Sequence, residues 1–214
     1  MQNSVYSIKF NPNKLELSAA YHLRARVFCK ELQWADSVHG LDIDQFDSIA
    51  EQIVILTSTG KVCATTRLIM GYKPWMMEKT FQDIIPKNFS PNWKTAAAEV
   101  SRFTVDREYR CKKHDQWTIA DTLIKAIYLR CRQYSLEKIY MITSREMVRF
   151  LLFHGYPIKV VGTEKIMTDG VTAIMSTIRW DDLIFGTQPK ELKISQWFTE
   201  QFQINPAYIA TETA

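Results

Sequence analysis

Two short runs of this sequence carry residue types that could do chemistry. The first is Glu99-Val100-Ser101-Arg102-Phe103-Thr104-Val105, where a carboxylate and a guanidinium sit in a stretch otherwise made of β-formers. Charged groups are rarely buried unless they are paired or given a task. A Glu in such a strand could act as a base and an Arg could hold an anion. A structural ion pair near a strand end explains the same residues on equal terms. The second run is Asp42-Ile43-Asp44-Gln45-Phe46-Asp47, three acids in a polar segment. As a calcium loop it lacks the Gly at the sixth position and the Glu at the twelfth. A merely solvated acidic loop is the other reading.

Other chemistries find less support. The four histidines form no H-x-x-x-H pattern, so a metal site has no basis in the sequence. The four cysteines, Cys29, Cys63, Cys111 and Cys131, form no C-x-x-C pair and read as free thiols in a reduced, cytoplasmic protein. Cys29 and Cys63 have no activator visible in sequence, so a thiol acyl carrier is disfavoured. Ser101 reads as a hydrogen-bond donor rather than a nucleophile.

The elements that must position these residues follow from periodicity. Val5 to Phe10 alternates as a strand, and Asn13 to Leu32 reads as one amphipathic helix. Leu15, Ala19, Leu23 and Val27 form its apolar stripe, and Arg24, Arg26 and Lys30 its basic face. A loop over Ala35 to Ala50 carries the acids. Strands over Gln52 to Thr57 and Val62 to Met70 flank a Ser-Thr-Gly-Lys turn. Cys63, Thr65, Arg67 and Ile69 share one face of the second strand, which places an Arg in mid-strand. Gly71 to Lys94 holds a packed short helix, and the Glu99 strand follows. Asp106 to Asp115 reads as charged and exposed. Trp117 to Tyr134 is the best helix, with Ala120, Leu123, Ile124, Ile127, Cys131 and Tyr134 at helical spacing. Lys138 to Thr143 is a strand, and Thr143 to Glu146 fits a capping box opening a helix that Gly155 ends. Strands over Ile158 to Thr163 and Val171 to Arg179 flank a Thr168-Asp169-Gly170 turn. Trp197, Phe198 and Phe202 recur at helical spacing in the tail.

The chain has 214 residues, 46% hydrophobic and 23% charged, with 7 Gly and 7 Pro, which suits an ordered globular protein with few flexible linkers. No repeat or low-complexity run divides it, so one domain over 1–214 is expected, with halves at 1–105 and 106–190 and a C-terminal extension over 191–214. A net charge of +4 is too mild to imply nucleic acid. No basic-then-apolar leader and no bilayer-length apolar run is seen. The order β-α-β-β-(short α)-β-α-β-α-β-β predicts an α/β three-layer α-β-α sandwich with a central mixed, mostly antiparallel sheet, the GNAT-like acyltransferase pattern.

Against that pattern the motifs align with one family. Leu23-Arg24-Ala25-Arg26-Val27-Phe28 with Leu32-Gln33-Trp34 resembles the R-x-x-x-F…L-x-W start of the LuxI-type acyl-homoserine-lactone synthases. Asp44-Gln45-Phe46-Asp47 is similar to that family's D-x-F/Y-D, Thr66-Arg67-Leu68 to its central-strand Arg, Thr80-Phe81 to its T-F pair, and Glu99 to Phe103 to its E-x-S-R-F. The matches run in order from Arg24 to Phe103, and beyond that the likeness is one of fold pattern. The resemblance implies that S-adenosylmethionine is consumed as a substrate, with no cofactor. Its α-amine attacks an acyl thioester, usually on acyl carrier protein, and its carboxylate then closes a lactone and expels methylthioadenosine.

On that reading Glu99 relieves the amine of its proton, directly or through a water, and Arg102 holds the acids that seat the cosubstrate. Asp44 and Asp47 offset its cationic parts. Arg24, Arg67 and Arg102 meet its carboxylate or brace the acids. Phe28, Trp34, Phe81, Ser101 and Phe103 complete the site. Which Arg touches the ligand is not legible. In a regular strand Glu99 and Ser101 share a face and Arg102 points the other way, unless a bulge re-aims it.

Coenzyme A-using GNAT enzymes carry a Gly-rich pyrophosphate loop after this strand. Residues 106–118 here contain no Gly, which favours a donor borne on acyl carrier protein. Arg107, Arg110, Lys112 and Lys113, with Arg145 and Arg149, could dock that acidic partner; a solvated basic surface is the plain alternative for each. The acyl pocket is expected between the Lys138 and Ile158 strands, from Met141, Thr143, Phe150, Leu151 and Leu152. Met141, where 3-oxo producers often have Thr, leans towards chains without a 3-oxo group; a shift of alignment to Thr143 reverses this. No nucleic acid and no membrane insertion are expected, and a monomer is favoured. Two other readings stay open: a GNAT-like N-acyl amino acid synthase or exosortase-associated acyltransferase without S-adenosylmethionine, and a non-catalytic binding module.

Overall fold

The structure, a computed structural model, describes residues 6–90, 92–114, 116–167 and 170–200. Thr168 and Asp169 of the expected turn, Asp115, Phe202 and the end of the chain lie outside them. The strands are β1 (Tyr6–Phe10), β2 (Glu51–Thr57), β3 (Val62–Met70), β4 (Ala97–Val105), β5 (Lys113–His114), β6 (Trp117–Thr118), β7 (Lys138–Ser144), β8 (Lys159–Ile166) and β9 (Thr172–Arg179). The α-helices are α1 (Lys14–Arg24), α2 (Met76–Thr80), α3 (Ile119–Gln133), α4 (Arg145–Phe153), α5 (Trp180–Ile184) and α6 (Pro189–Thr199). Seven strands form one mixed sheet in the order β1-β2-β3-β4-β7-β9-β8, the GNAT-like pattern, and β5 pairs with β6 in a separate two-stranded sheet.

The chain gathers into two compact units, 6–68 with 102–127 and 69–101 with 128–200. It passes between them inside β3, between Ser101 and Arg102 of β4, and inside α3.

In the first unit, β1, β2 and β3 form an antiparallel meander. The hairpin turn holds Gly60 at φ 79°, a conformation Gly adopts without a Cβ penalty. Asn13 caps α1 by a capping box with Glu16. Ala20, Leu23 and Val27 bury against Val54, Leu56 and Val62. Each Leu or Val of this cluster contributes about 1.5–3 kcal/mol on burial, so Leu23→Ala would be felt throughout this unit. Of the expected stripe only Leu23 and Val27 are buried. Leu15 is 83% exposed, Ala19 is exposed too, and Arg24 is fully buried rather than on a basic outer face. The reason is electrostatic: acids from the following loop neutralise Arg24. Nor does one α-helix reach Leu32, because Ala25–Glu31 is wound as a π-helix.

In the second unit, β4 runs parallel to β7, with Glu99 opposite Tyr140. A parallel pair needs a long crossover, which α3 supplies. β9 pairs antiparallel with both β7 and β8. β9 thus stands between the two strands expected to wall an acyl pocket. Ser144, not Thr143, caps α4 by accepting from Met147 N–H at 3.3 Å, so the expected capping box is replaced by a Ser cap. Gly155 follows α4 at φ 89°, as its C-terminal position requires. Trp75 is fully buried, donates to the Met70 carbonyl at 3.0 Å, and meets Trp93 and Tyr140 with ring centroids 4.9 and 5.9 Å away.

Candidate active site

The acids of the 42–47 loop and three arginines form one network in the first unit. Arg24 ends α1 and donates from Nη1 and Nη2 to the two oxygens of Asp47, at 2.6 and 3.0 Å, and from Nε to Asp42 at 3.1 Å. Arg67 in β3 donates from Nη1 to Asp44 at 2.5 Å and lies 3.2 Å from Asp47. Arg102 in β4 donates from Nε to Asp42 at 2.8 Å and from Nη2 to Asp44 at 3.3 Å. Three positive and three negative charges therefore balance, which is the condition for burying any of them. Gln52 adds a bond to Asp47 at 3.0 Å, and the loop ties itself by Asp44 N–H to Asp47 and Phe46 N–H to Asp44.

Burial pushes the Asp47 carboxyl up, but the bonds and charges of Arg24 and Arg67 outweigh it and hold the group below the usual carboxylate range. For Arg24 burial works against the charge, and Asp47 with Asp42 overrides it, so its pKa is raised.

Arg102 settles the question of strand faces. Its φ is 55°, a left-handed conformation unusual for a non-Gly residue inside a strand. The kink breaks the alternation of β4 and brings Arg102 to the acids, with its guanidinium 5.2 Å from the Phe28 ring centre. The Phe28 and Trp34 rings are 6.2 Å apart. Trp34 is 41% exposed, so it edges the site rather than filling a core. Phe103 is half-buried beside Arg102 in the chain.

Exposure separates the arginines that the sequence could not. The side chains of Arg24 and Arg67 are fully buried and face carboxylates, while Arg102 and Asp44 are 17% and 25% exposed. One cation and one anion of the network thus meet solvent side by side. Asp42, 2% exposed and bound to both Arg24 and Arg102, is the residue sequence reasoning passed over. Its signal was present as the first acid of the Asp-x-Asp-x-x-Asp run. Asp106, expected to be exposed, is buried because it pairs with Arg26 at 2.9 Å and caps the turn at Glu108.

Glu99 lies in the second unit and is fully buried. Its Oε2 and Oε1 accept the backbone N–H groups of Met76 and Met77 at 2.6 and 3.0 Å, at the start of α2. The segment 71–94 is shaped to allow this. A Cβ on Gly71 would stand 2.2 Å from the Lys94 carbonyl oxygen, so the chain closes on itself only with Gly there. Ser101 is buried in the same unit, and Phe81 is half-buried just past α2.

Of the acyl-pocket candidates, Met141 and Leu151 are buried, Thr143 and Phe150 are half-buried, and Leu152 is 54% exposed. Leu152 lines a shallow hollow of about 450 Å³ with Gly155 and Pro189, and the other four candidates are not among its lining residues. Alternation along β7 puts Met141 and Thr143 on the sheet face opposite Tyr140. The docking candidates are partly neutralised. Arg110 pairs with Glu31 at 2.7 Å, Arg145 bonds Glu164, and Lys112 lies 4.2 Å over the Tyr109 ring. Arg107, Lys113 and Arg149 are exposed. Burial raises the Cys63 thiol to about 12 and also raises Cys29, which disfavours the thiolate of each. Among the described residues no group of His, Cys, Asp and Glu could hold a metal ion. No described helix is long and apolar enough to cross a membrane.

Residues 10–184 match the family model described as autoinducer synthase. The chain belongs to that family, the LuxI-type acyl-homoserine-lactone synthases. A curated relative, the acyl-homoserine-lactone synthase of Pantoea stewartii subsp. stewartii, is 28% identical over 143 residues, 66% of this chain and 67% of that one. Among solved structures, the chain superposes on the coenzyme A-dependent acyl-homoserine lactone synthase BjaI, solved with SAM and isopentyl-CoA, with a TM-score of 0.71 at 16% identity, covering 90% of this chain and 89% of that one. FeeM, an N-acyl amino acid synthase from uncultured soil microbes, superposes with a TM-score of 0.63 at 13% identity, covering 90% and 99%. The last two likenesses speak to fold. The chain is thus an acyltransferase of the autoinducer synthase family on the GNAT-like fold expected from its element order.

Proposed function

We propose that the protein acylates the amine of S-adenosylmethionine from an acyl-[acyl carrier protein] and closes the product to an acyl-homoserine lactone, a quorum-sensing signal. The observation that carries this reading is the neutral Arg24/Arg67/Arg102–Asp42/Asp44/Asp47 network with only Asp44 and Arg102 open to solvent. S-adenosylmethionine presents an ammonium, a sulfonium and a carboxylate. Asp44 answers a cation of the ligand, Arg102 answers its carboxylate, and Phe28 with Trp34 offers π-faces to the sulfonium. Arg24 and Arg67 hold the acids in place and do not touch the ligand.

In the reaction the amine nitrogen bonds to the thioester carbonyl carbon, the carbon–sulfur bond breaks, and the carrier thiol leaves. An α-ammonium group has a pKa near ~8, so its proton is lost easily. Glu99 receives that proton through a water, since its own oxygens are out of solvent. The substrate's carboxylate then bonds to its γ-carbon and methylthioadenosine departs. Acyl carrier protein is assigned as donor on the Gly-free 106–118 segment and the exposed Arg107, Lys113 and Arg149. The four free cysteines suit a reduced cytoplasm.

Purified protein given S-adenosylmethionine and hexanoyl-[acyl carrier protein] is expected to release methylthioadenosine and hexanoyl-homoserine lactone, with hexanoyl-coenzyme A at least about tenfold poorer in kcat/KM. Turnover with coenzyme A alone would reassign the donor. No methylthioadenosine from either thioester would contradict the reading, and acyl amino acid formation in its place would favour an activity of the kind FeeM has.

A further inference from the structure

An acyl pocket placed between β7 and β8 must have β9 as its floor, because β9 lies between them in the sheet. The cross-strand register puts Met141, Ser176 and Val160 at one level. Directly paired residues share a face, so Ser176 lies on the Met141 side and not on the Tyr140 side. Ser176 is fully buried, and its Oγ has no hydrogen-bond partner among the described residues. The contrast is next door: Thr177, on the other face, donates from Oγ1 to the Ile139 carbonyl at 2.8 Å. A buried hydroxyl without a partner is disfavoured in the free protein, and buried polar groups nearly always have one. An aliphatic chain alone would leave it so.

We propose that Ser176 determines acyl specificity by donating a hydrogen bond to a keto or hydroxyl oxygen carried on the acyl chain. The proposal rests on the reading that an acyl thioester is the substrate. It reverses the leaning of Met141 towards unsubstituted chains: the hydroxyl that Met141 lacks comes from the adjacent strand. A site built around a polar partner discriminates against the chain that lacks it, because its own group is then left unpaired.

The test compares 3-oxohexanoyl and hexanoyl thioesters on one carrier, acyl carrier protein or coenzyme A, whichever gives turnover, for wild type, Ser176→Ala and Ser176→Thr. Wild type should prefer the 3-oxo chain in kcat/KM. Ser176→Ala should lower that ratio about 10- to 100-fold by losing the 3-oxo substrate while hexanoyl transfer changes little. Ser176→Thr, which keeps the hydroxyl, should hold the ratio closer to wild type. The free Ser176→Ala protein should melt no lower than wild type. An unmoved ratio in Ser176→Ala, or a wild-type preference for hexanoyl, overturns the proposal and leaves the acylation reading standing. No methylthioadenosine from any thioester with wild type would remove both.

Discussion

The two buried acid sites differ in what answers their charge. Asp42, Asp44 and Asp47 are met by side chains, three guanidiniums drawn from a helix end and two strands. Glu99 is met by main chain, two N–H groups at the start of a helix of one turn. The first solution is an extended, charge-balanced lattice in which removing one member strands its neighbours. The second is compact, and it ties a strand to a short helix through one side chain. A lattice tolerates partial exposure at its edge, which is where Asp44 and Arg102 meet solvent. The main-chain seat leaves Glu99 fully enclosed.

The sharpest way to break the contrast is Arg24→Met. It leaves Asp42 and Asp47 buried without their shared partner, and unfolding free energy should fall by about 3–5 kcal/mol, measured by urea denaturation. A loss below about 1 kcal/mol would show that the network does not act as a unit.

Next in size is the effect of pH. Asp47 has its native pKa depressed, so its contribution to stability is complete above the unfolded value near ~4 and is lost as pH falls through the lower native value. Stability measured from pH 6 down to 3 should drop for wild type, and the drop should be shallower in Asp47→Asn. Parallel curves would mean that Arg24 and Arg67 do not hold the ionised form.

Smallest in stability is Asp44→Asn. Fully buried Arg67 keeps Asp47 and the Asn carbonyl as acceptors, so the fold should lose about 1–2 kcal/mol, less than with Arg24→Met. KM for S-adenosylmethionine should rise about tenfold with little change in the KM for the acyl donor. A rise in the donor KM instead would move Asp44 out of the cosubstrate site.

The same contrast explains what sequence could and could not show. Arg24, Arg67, Arg102, Asp44 and Asp47 were legible because each partner in a side-chain lattice is itself a charged residue in an ordered motif. Asp42 belongs to the same lattice and was missed as one more acid in a polar loop. The partners of Glu99 were not legible, since any residue supplies a backbone N–H and Met76 and Met77 carry no chemical signal. Strand and helix types followed from periodicity almost throughout. Faces did not where charge overrode the pattern: Arg24 went inward because acids distant in sequence met it, and Arg102 left the alternation of β4 through a left-handed φ. The placement of β9 between β7 and β8 is a matter of strand order, which local pattern does not encode.

Glu99 is the group to which the proposed chemistry gives the proton of the attacking amine. Single-turnover amide formation should be compared in wild type and Glu99→Gln, with melting followed alongside because the amide loses one of the two N–H bonds. Formation should slow at least about 100-fold in a variant that stays folded, as expected when a general base acting through one water is removed. A folded Glu99→Gln that forms amide within about threefold of wild type would contradict it, and would leave Glu99 as a brace for the start of α2.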